Sequence, residues 1–486
     1  MDSLRRIPSN AAPDAGPGPV SGAGPAPTGV TSPGPQPHPP GHGIDEASAL
    51  LNRLFRGFDG SLAMRLWNGS TVRLGTDEAR ETGPPFTLVC RNPSVVRAMV
   101  LGRDPLRLVD AYFRGDVDIE GDLFAALELK DRVHSIRLSL PERLGALWAA
   151  LQLRGRGGQR RGRPDTSRSG PSVKAHSKTE NRAAISFHYD VSNEFYRLWL
   201  DELRVYSCAY FTRPDQSLDQ AQRDKLEHIC RKLRLRPGER LLDIGCGWGA
   251  LICWAAQHHG VRAHGITLSQ QQFEHVRQRI RAEGLQDQVT AELLDYRDLP
   301  GRDTFDKVSS IGMFEHVGLA NLPTYLATVQ RVLRPGGLFL NHGITHDEEG
   351  WNKTLATAFI NRYVFPDGEL DCVSNIQLGM ERAGFEIHDV EGLRPHYALT
   401  LRHWVQRLEA RREEALREVD ESTYRVWRLY MAACALEFEA GGTGIYQVLA
   451  SKRNKGAWPV PMTRRDLYVD RGQPPRVDQN NIALAV

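Results

Sequence analysis

Between residues 240 and 390 short apolar runs are separated by stretches of helical period, the alternation expected of a doubly wound parallel sheet. Six strands are predicted, at 240–244, 262–266, 289–294, 305–311, 338–343 and 385–390, with helices between the first five. Helical periodicity over 351–380 and 402–440 reads as a cap over the carboxyl edge of that sheet. Residues 183–455 are therefore expected to form one α/β domain, and the polar, proline-containing 456–486 a C-terminal extension.

The block 44–140 has a different rhythm. Leu50, Leu51, Leu54 and Phe55 recur at helical spacing within 47–58. Two strand-like runs, 63–67 and 72–74, flank Asn68-Gly69, a strong hairpin signal. A further strand bounded by turns is expected within 110–122, ahead of a helix over 123–130. This is a small α+β module without evident chemistry.

Two segments fall outside these patterns. Residues 1–43 are mostly Pro, Gly, Ala and Ser, cannot bury enough apolar surface to offset the entropy of ordering, and are expected to be a disordered tail. Residues 141–153 are amphipathic through Leu144, Leu147, Trp148, Leu151 and Leu153, and are followed by Arg154, Arg156, Arg160, Arg161 and Arg163. The stretch 141–182 has two readings: a solvated linker, or a membrane-surface contact in which an apolar face lies beside arginines that attract anionic lipid.

Composition narrows the class. Apolar residues make up 41% of the 486, enough for a substantial core, and the formal charge of +3 is too small to argue for nucleic acid. The seven cysteines are scattered without a CxxC pair, which speaks against a zinc site or disulfide framework, so no metal is expected. The N-terminus lacks the apolar core of a signal peptide, and no apolar run nears the roughly 20 residues that span a bilayer. A cytoplasmic protein is expected.

The candidate chemistry begins at Asp243-Ile244-Gly245-Cys246-Gly247-Trp248-Gly249, a strand end turning sharply into a helix. Glycines at this spacing let a ligand approach the backbone and the unpaired N–H groups of the helix start. The dinucleotide fingerprint is GxGxxG, whereas this is DxGxGxG, and a carboxylate before the first glycine suits a cationic ligand better than a pyrophosphate. S-adenosylmethionine is the expected ligand, with a nicotinamide cofactor as the alternative. The second strand ends in Thr267-Leu268-Ser269-Gln270-Gln271-Gln272, without the acidic residue that commonly holds ribose hydroxyls. Asp295 and Tyr296 stand where adenine would lie, although Asp295 also reads as a helix cap.

With these go Ile185–Asp190, Tyr206-Ser207-Cys208-Ala209-Tyr210-Phe211, Gly312-Met313-Phe314-Glu315-His316-Val317-Gly318 and Leu340-Asn341-His342-Gly343-Ile344. Together they resemble the cyclopropane-fatty-acyl-phospholipid synthase family, which includes the mycolic acid cyclopropane synthases, strongly over 183–452 and weakly over 44–130. The segments around Tyr206–Phe211 and Phe314–Gly318 are the most specific. The resemblance implies a Rossmann-like S-adenosylmethionine-dependent methyltransferase fold with a helical cap, plus a small N-terminal lipid-binding-like domain.

It also implies a reaction: a methylene is added across a cis double bond of an acyl chain, through a carbocation that a bound bicarbonate deprotonates. Such chemistry needs a positioned sulfonium, a dry pocket and a base. Tyr189, Tyr210, Phe211, Phe314, Phe359, Tyr363, Phe365 and Tyr397 are aromatic faces that could favour a cation. By resemblance the bicarbonate ligands are the side chains of Glu315, His342 and Tyr397 with main-chain groups of Cys208 and Ile344. The cofactor contacts are Tyr206, Ser207, Asp243, Gly245, Gly247, Thr267, Gln272, Asp295 and Tyr296. Plainer readings stand beside these: Glu315 or His316 as a helix cap, His342 as a core histidine, Cys208 as packing or a nucleophile. The expected partners are membrane phospholipids with unsaturated acyl chains, met peripherally on the inner face of the cell membrane, and a second copy of the chain in a homodimer. Two alternatives remain: a relative making methyl-branched or methylene products, and a lipid-binding protein with a decayed site.

Overall fold

The computed structural model describes residues 44–75, 84–101, 106–132, 145–150, 191–347, 369–456 and 458–468. All lie within one compact unit, Gly41–Val486. The tail, the arginine cluster after 153, the stretch 185–190 and the aromatics Phe359, Tyr363 and Phe365 fall outside the described residues.

The first module opens with the helix Ile44–Leu54, shorter than the predicted 47–58 because the chain turns at Gly57, whose φ is 75°. The hairpin forms as expected, β1 (Ser61–Arg65) pairing antiparallel with β2 (Thr71–Gly75). Trp67 falls in the turn, where Asn68 Oδ1 accepts from the Ser70 amide at 3.0 Å. Strands β3 (Phe86–Cys90) and β4 (Val117–Gly121) complete a sheet of order β2-β1-β3-β4. The expected turn at 110–113 is instead the end of the helix Leu106–Phe113, whose Ala111, Tyr112 and Phe113 are buried. The helix Leu123–Arg132 follows, its first turn capped by Asp122 Oδ1.

The larger sheet contains all six predicted strands: β5 (Arg240–Ile244), β6 (Arg262–Thr267), β7 (Val289–Leu293), β8 (Phe305–Ile311), β9 (Leu333–His346) and β10 (Phe385–Gly392). A seventh, β11 (Thr443–Lys452), inserts between β9 and β10, giving the order β10-β11-β9-β8-β5-β6-β7. Of the seven, β11 alone runs antiparallel. It escaped the sequence pattern because its inward positions are not all apolar: Gln447, Ser451 and Lys452 are buried in it. Lys452 Nζ is held there by Gln330 O at 2.8 Å and Leu333 O at 2.9 Å. The strand order reverses between β5 and β8, so the connections leaving their carboxyl ends part and open a crevice, the usual ligand position in such sheets.

The helices expected as a cap divide. Val373–Arg382 packs against β10 and the helix Leu322–Val332, so it covers a sheet face and is not part of a cap; 351–368 lie outside the described residues. The cap consists of Arg394–Ala410, Arg412–Glu418 and Glu421–Ala440, beginning before the predicted 402 because Pro395 occupies a first-turn position. Among the described residues no helix is long and apolar enough to cross a membrane.

An aromatic cluster joins cap to sheet. Trp199, Tyr206, Trp404 and Trp427 pack with centroid separations of 5.2–6.1 Å. Trp248 of the glycine turn reaches it through Tyr196 at 5.0 Å and donates to Asn193 Oδ1 at 2.8 Å. The same core takes in Tyr112, Phe113 and Leu123 of the first module.

Arg425 makes that junction specific. It donates to the Tyr112 and Val117 carbonyls, each at 3.0 Å, and to Asp118 Oδ2 at 2.8 Å, with its side chain 4% exposed. Arg428 donates to the Tyr112 hydroxyl at 3.0 Å. Removing the guanidinium takes a buried donor from the Tyr112 and Val117 carbonyls, while Asp118 keeps its half-exposed partner Arg91. Arg425→Met is expected to destabilise the protein by about 3 kcal/mol in denaturant unfolding, with early proteolysis of 44–132. A loss below about 1 kcal/mol, the range of an exposed pair, would show that this junction is held by apolar packing alone.

Candidate active site

A cleft of about 970 Å³, counting its open mouth, occupies the crevice between β5 and β8. It is lined by Tyr206, Ser207, Asp243, Gly245, Gly247, Thr267, Gln272 and Tyr296, all of them residues singled out from the sequence. The glycine turn is tight: the Gly245 and Cys246 amides both donate to Ile266 O at 2.9 Å, and Gly245 has a φ of 81°. Gly265 on β6 is required for a second reason, since a Cβ there would stand 2.8 Å from Cys246 and Ile252 side-chain atoms. The following helix, Ala250–His259, has no side-chain cap, which leaves its first N–H groups to the cleft.

Asp243 ends β5 and is almost fully buried, with Ser309 Oγ donating to Oδ1 at 2.7 Å. Burial pushes its carboxyl up to about 6, against the Ser309 hydrogen bond and the charge of Lys225. At the end of β6, Thr267 Oγ1 donates to Gln272 Oε1 at 2.8 Å, and Ser269 caps the helix Gln270–Ala282. This pair stands where an acidic residue is absent. Tyr296 is buried, its hydroxyl without a hydrogen-bond partner, and its ring meets Tyr325 edge-on at 5.5 Å.

Asp295 is a correction. It does not line the cleft; its Oδ1 accepts from the Arg297 amide at 2.9 Å and its Oδ2 from Arg297 Nη2 at 2.6 Å. The geometry is that of a cap reinforced by an ion pair. The sequence reading had also missed Lys225 and Arg204, both of which line the cleft. The signal for Lys225 was present: it falls on the stripe of Leu218, Ala221, Gln222 and Ile229, the buried face of the helix Leu218–Lys232.

Beside the cleft lies a second group. Glu315 sits in the single turn Phe314–His316 after β8, between Met313 and His316, which line the cleft. Its Oε1 accepts from the Ile344 amide at 2.7 Å, while Oε2 is buried without a hydrogen-bond partner. Gly343 makes this approach possible, because a Cβ there would meet the Phe314 ring at 2.0 Å. His342, 1% exposed, precedes Ile344 by two on β9, so both side chains are on one face. Its Nδ1 is 3.3 Å from Gln447 Nε2 on β11, and its Nε2 is buried without a partner. Burial and the charges of Lys225 and Lys232 hold His342 neutral, well below the ordinary histidine range. It is therefore not a satisfied core histidine. Neither Glu315 nor His316 caps the next helix, whose N-cap Asn321 makes no side-chain capping bond.

Cys208 and Tyr397 meet at Leu393, whose carbonyl accepts from the Cys208 thiol at 3.8 Å and from the Tyr397 amide at 3.1 Å. The Tyr397 ring packs on Phe438 at 4.7 Å. Burial drives the Cys208 thiol far above its ordinary range, which favours the packed, protonated side chain over a nucleophilic thiolate. Of the Ile344 main-chain groups expected beside a bound anion, the amide donates to Glu315 Oε1. Tyr210 is stacked between His228 at 4.2 Å and His396 at 4.9 Å.

A family model described as mycolic acid cyclopropane synthetase matches residues 176–448. A probable fatty acid methyltransferase of Pseudomonas putida is 43% identical over 84% of this chain and 96% of its own. The cyclopropane-fatty-acyl-phospholipid synthase of Escherichia coli K12 is 40% identical over 54% of this chain and 66% of its own. Among solved structures, mycolic acid cyclopropane synthase CmaA1 complexed with SAH and CTAB is 33% identical, with a TM-score of 0.53 over 56% of this chain and 98% of that one.

Glu315 generates a prediction on stability. Burial raises its carboxyl from 4.5 to about 7, so the folded state holds this proton more tightly than the unfolded chain does. Its stabilising effect is full below about 4.5 and is lost as pH rises toward about 7. Glu315→Gln cannot titrate. The melting temperature of the variant, relative to the unsubstituted protein, should climb through that window and level off above it. A difference that stays constant with pH would place Glu315 in contact with water.

Proposed function

This chain belongs to the mycolic acid cyclopropane synthetase family of S-adenosylmethionine-dependent methyltransferases, and on that premise we propose that it adds a methylene across the cis double bond of unsaturated phospholipid acyl chains, giving a cyclopropane. The observation that carries the reading is the pair of buried, unpartnered atoms, Glu315 Oε2 and His342 Nε2, beside the glycine-turn cleft. A buried polar atom without a partner costs stability, and persists where a ligand completes it. A small oxyanion carrying a proton fits this donor set. The neutral His342 has one N–H to donate, and a carboxyl poised near neutrality can exchange a proton with its neighbour.

The residues then divide the work. Asp243, Thr267, Gln272 and Tyr296 hold and orient the sulfonium donor, so that its methyl group is presented to the alkene. The aromatic walls and the burial of the Glu315 region exclude water, which would otherwise trap a lipid carbocation. Bound at Glu315, His342 and Tyr397, bicarbonate would supply the base that takes a proton from the transferred methyl. Glu315 would pass that proton outward. The name of the Pseudomonas putida relative favours a second reading, a methyl-branched or methylene fatty acid from the same cation.

Lipid analysis of cells with and without the chain tests the product. Monounsaturated chains should gain the mass of one CH₂ and lose the alkene; a gain with the alkene retained would favour the second reading. Glu315→Gln should lower turnover about a hundredfold while donor binding stays near normal, as for loss of one acid–base participant. Depleting dissolved carbonate should suppress activity, and restoring it should recover the rate; insensitivity to both would make Glu315 itself the base.

We also propose peripheral contact with anionic membranes. Leu147 and Trp148 on the described helical segment 145–150 are 43% and 66% exposed, and the arginine cluster follows in sequence. Sedimentation with anionic vesicles should weaken as salt rises, since exposed charges are screened within about 10 Å at 0.1 M. Gln at Arg154, Arg156, Arg160, Arg161 and Arg163 should weaken it further. Binding indifferent to both would leave 141–182 a linker.

A further inference from the structure

Lys225 is a buried charge that none of the chemistry above uses. It is 2% exposed and lines the cleft together with Ser207, Asp243 and Gly245. Its Nζ donates to Ser207 Oγ at 2.9 Å, and among the described residues no carboxylate stands within ion-pair distance of it. Burial pulls its amine down to about 8, and the nearby carboxyls of Asp243 and Asp201 oppose that only in part. An ammonium removed from water and held by one neutral hydroxyl is costly, and the cost is offset when an anionic group completes its shell. Arg204, the other cation in the cleft wall, already has Glu194 at 3.8 Å and His275 Nδ1 at 3.3 Å.

We propose that Lys225, acting with Ser207, binds the carboxylate at the amino-acid end of S-adenosylmethionine and so selects the intact donor over analogues lacking that carboxylate. This rests on the placement of the donor in the cleft. The amino-acid end of the donor carries one carboxylate and one ammonium, and the cleft wall carries one buried cation and one buried anion, Lys225 and Asp243. Lys225 has three N–H donors and spends one on Ser207. Ser207 accepts that bond, so its own proton remains free to be donated to the same carboxylate. Charge-assisted bonds of this kind are short and about twice as strong as neutral ones. Gln222 braces the arrangement from the same helix, donating to Ser207 O at 2.9 Å.

The test is calorimetric binding of two probes, S-adenosylmethionine and decarboxylated S-adenosylmethionine, which share the sulfonium, ribose and adenine. The unsubstituted protein should prefer the intact donor about tenfold or more, the strength of a hydrogen bond between charged groups. Lys225→Met should weaken the intact donor by that factor, leave the decarboxylated one near its original affinity, and so erase the preference. Lys225→Arg should restore part of it. A variant that weakens both probes equally would overturn the proposal, since packing alone would do that, and so would one that weakens neither. Should Lys225→Met fail to fold by circular dichroism, Ser207→Ala carries the same comparison: a reduced preference is expected, and an equal loss for both probes overturns it. Failure of the unsubstituted protein to bind either probe would instead overturn the donor placement, and this contact with it.

Discussion

Asp243, Glu315, His342 and Lys225 are all withdrawn from water within a short stretch of the crevice, and no neighbour inside the protein neutralises them fully. Solvation that is lost and not replaced is unfavourable by kilocalories per group, so the surrounding architecture has to hold these side chains in place. Strands and one helix share this: β5 and β9 carry Asp243 and His342, the turn after β8 carries Glu315, and the helix Leu218–Lys232 carries Lys225. A protein selected for stability alone would place apolar residues there; what remains unsatisfied marks where ligands bind.

Holding such a site dry requires a lid over the sheet edge, and the aromatic cluster supplies it. Trp248 belongs to the glycine turn itself and still packs through Tyr196 into the cap. The cap helix Glu421–Ala440 in turn grips the first module through Arg425 and Arg428. Cofactor turn, cap and N-terminal module are thus linked by continuous packing. The small sheet carries no catalytic group of its own, and its contribution is to complete the cover.

Beside the cleft the hydrogen bond from the Ile344 amide to Glu315 fixes the carboxyl in place and leaves one oxygen for other partners. Gln447 similarly engages one nitrogen of His342 and leaves the other. Each active group is held by one bond and open at the next position. This arrangement gives a defined orientation without satisfying the whole group.

The sequence by itself determined six of the seven strands of the large sheet and the glycine turn with Asp243, Gly245 and Gly247. These features are local: strand runs repeat with period two or as apolar blocks, and Asp243 is fixed to its turn by adjacency in the chain. The resemblance to a known family supplied Glu315, His342 and Tyr397, which no spacing rule would have gathered. Tertiary structure alone decided the rest. Strand β11 was hidden because its buried Gln447, Ser451 and Lys452 find partners only on β9 and on segments distant in the chain. For Asp295 the sequence left two readings open, ligand contact and helix cap, and the structure shows it capping and pairing with Arg297, two residues on. Lys225 stood on an apolar stripe, but only the fold shows that its ammonium opens into the cleft without a counter-charge. A side chain's partner depends on three-dimensional proximity and burial, and neither quantity is carried by the order of residues in a segment.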